Sequence, residues 1–142
     1  MTLDNDLPPD YSPREDEDYM CPRHLAFFRG RLLQWRSELL AESQRTRAAL
    51  RDDAQLEVGD EADRASREEI QALELRTRER YLRLLGKIDA ALGRIEDGSY
   101  GFCEETGEPI GLARLLARPI ATLSLEAQER HERRERLGIQ GS

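Results

Sequence analysis

The 142-residue sequence predicts a mainly α-helical protein, a long antiparallel coiled-coil hairpin with a small zinc-finger-like, metal-free globular end and a C-terminal helix. Three observations predict it. Two stretches of roughly 30–35 residues each repeat apolar side chains at spacings of three and four, the period of a helix face. Few residues separate them, so the two helices fold back on one another. The composition is 38% hydrophobic, 36% charged and 6% aromatic, which suits surface-rich helices better than a sandwich or a doubly wound sheet.

Residues 1–20 read as a flexible acidic N-terminal arm. They hold Pro8, Pro9 and Pro13 and offer only Leu3, Leu7, Tyr11 and Tyr19 for burial. The formal charge of the chain is −7. Asp4, Asp6, Asp10, Glu15, Asp16, Glu17 and Asp18, against Arg14 alone, put −6 of it in this arm. The remainder is close to neutral, which excludes the basic footprint of a protein that grips nucleic-acid phosphates by itself.

The hairpin is expected over residues 21–98, with its tip near residues 55–65. Pro22 suits a first helical turn, where its missing N–H costs nothing. From there Leu25, Phe28, Leu32, Trp35 and Leu39 mark one face, and the pattern fades near Leu50 and stops around Asp52 and Asp53. A second helix follows Val58-Gly59-Asp60, with Asp60 or Asp63 able to cap or charge its first turn. Its stripe is Ile70, Leu73, Thr77, Tyr81, Leu84, Leu85, Ile88, Ala91, Leu92 and Ile95, ended by the two glycines of EDGSYG. Zipped together, the stripes make a coiled coil.

Residues 99–142 are expected to form a degenerate zinc-ribbon-like knuckle plus the last helix. Gly101, Gly107, Pro109, Gly111 and Pro119 break the periodicity over residues 99–122, which predicts turns and at most two short strands. A third helix from about Ser124 to Leu137 interleaves Glu126, Glu129, Glu132 and Glu135 with Arg130, Arg133, Arg134 and Arg136, a solvated face of i, i+4 pairs. Phe102, Ile110, Leu112, Leu115, Leu116, Ile120, Leu123 and Leu125 supply apolar bulk to this end.

The stretch GFCEETGEPI, from Gly101, looks like a knuckle carrying Cys-x-x-Cys, except that Thr106 stands at the second cysteine. Two cysteines 82 positions apart, with no apparent secretion leader, read as reduced thiols of a cytoplasmic protein. No apolar run approaches the roughly 18 residues of a membrane span.

Together these parts resemble the DksA/TraR family of RNA polymerase-binding transcription factors. DEADRA (Asp60–Ala65) matches the family's Asp-x-x-Asp-x-Ala tip. DGSYGFCEETGEPIGLARLLARP (Asp97–Pro119) is similar to its YG-x-C-x-x-C-G…R-L-x-A-R-P signature. The spacing continues to Ser124 and Ala127, where the family has its second Cys-x-x-Cys. The resemblance covers about residues 20–137 and identifies a variant that lacks the four-cysteine zinc site. Its metal positions are occupied by Cys103, Thr106, Ser124 and Ala127. Structural zinc takes four Cys or His ligands in a tetrahedron. One thiol, two hydroxyls and a methyl do not supply that, so no stably bound cofactor and no metal are expected there. A substitute set of Cys21, His24, Cys103 and His131 can be imagined. Isolated Cys and His pairs are more often packing or surface residues, and Pro22-Arg23 reads as a helix start.

The resemblance implies a function. Family members push the hairpin through the secondary channel of RNA polymerase, so that the tip residues matched by Asp60, Asp63 and Ala65 approach the active centre. They destabilise open complexes at ribosomal RNA-type promoters in the stringent response, with the alarmone ppGpp as co-effector at the junction matched by Leu84, Lys87 and Arg118. Gln128 replaces the family's basic residue after the fourth cysteine. Taken alone, the tip acids are helix caps, Leu84 is hairpin core, Lys87 is a surface lysine and Arg118 a brace beside Pro119. Cys103, flanked by Glu104 and Glu105, is expected to have a raised pKa and to be a sluggish thiol.

Two other functions fit the same architecture. A transcript cleavage factor also carries acids on a coiled-coil tip, to hold magnesium. An adaptor would bind a partner through the face of the hairpin. The chain is read as a monomer without sequence-specific DNA binding or membrane association. It is not read as an enzyme: it has no Ser-His-Asp order, no phosphate-cradling glycine loop, and no histidine near an acid pair in a probable cleft.

Overall fold

A computed structural model describes residues 7–56 and 61–138. Four helices follow in chain order: α1 (Pro22–Leu56), α2 (Glu61–Asp97), α3 (Leu112–Ala117) and α4 (Leu125–Arg136). Among the described residues strand pairing is limited to one isolated antiparallel bridge, Phe102 to Pro109. The architecture is mainly α, as composition and periodicity predict. No described helix is long and apolar enough to cross a membrane. The chain divides into two compact units, Leu33–Asp89 and a second made of Met1–Leu32 with Ala90–Ser142.

The unit Leu33–Asp89 is the paired part of the hairpin. The pairing is antiparallel, as its contacts show. Leu39, Glu42 and Thr46 of α1 line a groove with Leu84, Tyr81 and Thr77 of α2, so one helix descends in number as the other rises. Arg36 Nε donates to Asp89 Oδ1 at 2.8 Å along the same register. The expected stripe of α2 holds at Ile70, Thr77, Tyr81, Leu84 and Ile88, but Leu73 is exposed. The first helix runs on to Leu56, past the point where its apolar pattern fades. Helix propensity continues there after the buried stripe has ended, through Arg, Ala, Gln and Leu.

The other unit is the base. Phe28, Leu32, Tyr100, Leu115 and Ala127 are all at or near zero exposure. Phe28 stacks against Tyr100 at 5.6 Å between ring centroids. The Tyr100 hydroxyl donates to the Pro119 carbonyl at 2.8 Å, which satisfies the polar end of a buried ring. Helix α2 ends where Gly98 takes φ 85 and the amides of Ser99 and Tyr100 return to the Arg94 carbonyl.

Of the segment read as an arm, the described part folds onto this base. Tyr11 meets Phe27 edge-on at 6.1 Å and Arg23 covers its ring at 4.9 Å. The Tyr19 hydroxyl donates to the Gly101 carbonyl at 2.7 Å and accepts from the Gly111 amide at 2.9 Å. Gly101 has φ 92, and a Cβ there would sit 2.8 Å from Met20 Cγ and Sδ. Only glycine permits both the turn and the close approach of residues 19–20.

The expected apolar bulk of residues 99–125 is partly confirmed. Ile110, Leu112, Leu115 and Ile120 are buried, whereas Leu125 is 58% exposed on the first turn of α4.

Candidate functional site

The knuckle is built by a tight turn. The Cys103 amide donates to the Glu108 carbonyl and the Gly107 amide to the Cys103 carbonyl, both at 2.8 Å. Thr106 Oγ1 accepts from the Glu108 amide at 3.2 Å, a side chain closing its own turn. On the facing segment Ser124 is the N-cap of α4, with Oγ accepting from the Ala127 amide at 3.2 Å. The four positions expected to be degenerate metal ligands thereby converge. The side chains and amides of Thr106 and Ser124 lie close enough to the Cys103 thiol to set its electrostatics. Ala127 is fully buried.

The donor set does not fit a structural zinc ion. A tetrahedral site needs four thiolate or imidazole ligands. Here one sulfur remains, the two hydroxyls are engaged with turn and cap amides, and the fourth position offers no lone pair.

The electrostatics of Cys103 overturn the expectation of a raised pKa. Burial pushes the thiol up, but the hydrogen bonds from Thr106 and Ser124 outweigh it and bring Cys103 down to about 6. The flanking acids do not act as sequence proximity suggests. Glu105 turns to His131 at 2.6 Å and Arg130 at 3.5 Å, which hold its carboxyl below the usual range. The thiolate absorbance of Cys103 is expected to titrate near pH 6 in a Cys21→Ser background. A folded-state pKa below the unfolded one contributes stability that is full above the unfolded thiol's pKa and is lost as pH falls toward about 6. Cys103→Ser therefore flattens the rise in stability over that interval. Titration at or above the ordinary thiol range would contradict this assignment.

Only part of the expected tip falls among the described residues. Asp60 lies outside the described residues. Asp63 belongs to the first turn of α2, its side chain outside the described set, and Ala65 is exposed one turn on. At the expected junction Leu84 is half-buried and lines the hairpin groove, and Lys87, three residues on, is exposed. Arg118 follows α3, its amide capping onto the Arg114 carbonyl at 2.7 Å and its side chain exposed. It belongs to the base, whereas Leu84 and Lys87 belong to the hairpin unit. Gln128 Nε2 donates to Glu132.

The imagined set of Cys21, His24, Cys103 and His131 does not form. Cys103 and His131 are engaged as described, while Cys21 and His24 meet Glu17 instead. Sequence reasoning missed Glu17. Its spacing to Cys21 and His24 follows a helical face, but Met20 at φ 55 interrupts any helical reading.

Comparison with known proteins bears on the family of the chain. Residues 24–95 match the family described as DnaK suppressor protein DksA, N-terminal domain. Residues 98–133 match the prokaryotic dksA/traR C4-type zinc finger. The chain is 60% identical over 128 residues to the RNA polymerase-binding transcription factor DksA of Caulobacter vibrioides, covering 90% of this chain and 89% of that one. It is 40% identical over 126 residues to the protein of the same name from Escherichia coli K12, covering 89% and 83%. The solved structure of transcription factor DksA2 from Pseudomonas aeruginosa superposes with a TM-score of 0.78 at 52% identity, over 87% of this chain and 94% of that one.

Proposed function

The chain belongs to the DksA family, and on that premise we propose that it is a transcription regulator that binds RNA polymerase, enters its secondary channel by the hairpin tip and acts there without zinc. With ppGpp it destabilises open complexes at ribosomal RNA-type promoters. It does so by shifting a population of complexes rather than by making or breaking bonds.

The observation that carries this reading is the antiparallel hairpin itself. Helices of 35 and 37 residues run up to Leu56 and from Glu61, and Asp63 and Ala65 follow within the first turns of α2. At about 1.5 Å per residue each helix is long enough to carry its end some 50 Å. A pair that only packed on itself would gain little from acids at that turn. Asp60, Asp63 and Ala65 act at the active centre, Asp63 through its charge. Lys87 and Arg118, both exposed, meet the phosphates of ppGpp, and Leu84 supports that contact from the groove. Gln128 leaves one phosphate contact fewer. The protein works in the cytoplasm, as a monomer, and does not read DNA sequence directly.

That the knuckle needs no zinc is supported by its own bonds. Its turn and its cap close the same loops that four cysteines would hold.

The test is transcription from a ribosomal promoter with purified polymerase, with and without ppGpp. Wild-type protein is expected to inhibit, more strongly with ppGpp, and Asp63→Asn to lose most of the inhibition while still binding polymerase. Inhibition that survives the substitution removes the tip from the mechanism.

A further inference from the structure

We infer that Glu17, Cys21 and His24 form a binding site for a borderline divalent cation of the zinc type, separate from the zinc-finger positions. One ligand atom from each residue lies within 4.8 Å of the others. The three are drawn from the turn before α1 and from its first turn, so a bound ion would clamp that turn onto the helix.

His24 supplies the independent observation. Its side chain is fully buried, and Nε2 has no hydrogen-bond partner. Glu17 Oε1 is 3.3 Å from Nε2. That separation is just beyond the usual N–H···O range, and Oε1 already accepts from two other donors. A buried imidazole nitrogen with nothing to donate to is unusual in a folded protein.

The other two ligands suit the assignment. Glu17 is fixed through Oε1, which accepts from the Tyr11 hydroxyl at 2.8 Å and the Arg14 amide at 2.9 Å, the kind of support that orients a ligating carboxylate and leaves Oε2 for the ion. Cys21 immediately precedes α1, and its carbonyl accepts from the Leu25 amide at 3.0 Å. One thiolate, one imidazole and one carboxylate, with water in the fourth position, favour Zn²⁺ over the hard cations Mg²⁺ and Ca²⁺.

Loading has a defined proton balance. Cys21 releases its thiol proton to solvent. In the structure His24 Nδ1 accepts from the Met20 amide at 3.1 Å, so its one proton is on Nε2. On coordination through Nε2 that proton moves to Nδ1 by way of solvent, and the bond from Met20 is given up.

The probe is Co²⁺ alone, titrated into the chelator-stripped full chain and then displaced by Zn²⁺. The expected result is one equivalent bound, with thiolate-to-cobalt charge-transfer absorption that Zn²⁺ bleaches. Cys21→Ser removes that absorption. Glu17→Gln, which leaves the buried imidazole in place, weakens binding by more than the roughly 10–100-fold that loss of an outer-shell partner costs. Cys103→Ser changes nothing. Unchanged circular dichroism of each variant establishes that it is folded. Absence of stoichiometric Co²⁺ binding overturns the site and leaves His24 as a buried partner of Glu17. Absorption that survives Cys21→Ser, or disappears with Cys103→Ser, overturns it equally.

Discussion

The T106C/S124C/A127C chain is expected to hold one more equivalent of zinc than the wild type and to become chelator-sensitive in its thermal unfolding. The four positions already face one another. Thr106 and Ser124 flank the Cys103 thiol closely enough to shift its pKa, and Ser124 Oγ lies 3.2 Å from the Ala127 amide with Ala127 at zero exposure. Three more sulfurs would complete a set able to close at about 2.3 Å around a tetrahedral ion. Metal binding in small zinc domains carries about 10–16 kcal/mol of apparent free energy. Even a fraction of that raises the melting temperature of a domain this size by tens of degrees, since about 1 kcal/mol moves it several degrees. Zinc stoichiometry by atomic emission and melting curves with and without chelator read the outcome. Equal stoichiometry in the two chains would mean that the positions do not converge on a common centre. The wild-type chain is expected to keep its helical signal in chelator, because its loops are closed by the Thr106 turn and the Ser124 cap.

How far the sequence led depended on whether the decisive neighbour was near in the chain. The helices of the hairpin were legible because their apolar faces repeat locally, from Phe28 to Leu39 and from Ile70 to Ile95. Helix α3 was not, since its six residues between Gly111 and Arg118 are too few to show a period. The docking of Tyr19 depends on Gly101 and Gly111, 82 and 92 residues away, and no local composition signals it. Cys103 shows the same lesson in electrostatics. Its sequence neighbours, Glu104 and Glu105, argued for a raised pKa. Its spatial neighbours, Thr106 and Ser124, decide the opposite. The four metal positions were legible only through the family's spacing, because a Thr, a Ser and an Ala carry no metal signal of their own. Glu17 carried none either until folding brought it to His24.

Phe28→Ala is expected to destabilise the protein by about 3–5 kcal/mol, the cost of truncating a fully buried aromatic ring. Phe28 has zero exposure and joins two ring contacts, Phe27 at 5.3 Å and Tyr100 at 5.6 Å. Its loss leaves a cavity between α1 and the segment that follows α2, within the base. Against a typical total of about 5–15 kcal/mol, that is a large share. Leu125→Ala is the control. Leu125 belongs to the same apolar set in the sequence, but at 58% exposure its truncation should stay within about 0.5 kcal/mol. Urea unfolding followed by circular dichroism measures both. The contrast tests where a base without four cysteines finds its stability. If it rests on the Phe28–Tyr100 cluster, the two substitutions differ several-fold and Phe28→Ala alone shifts the midpoint. If Leu125→Ala costs as much, the burial pattern does not describe the folded base. If Phe28→Ala costs little, the turn and cap hydrogen bonds hold the base without the aromatic cluster.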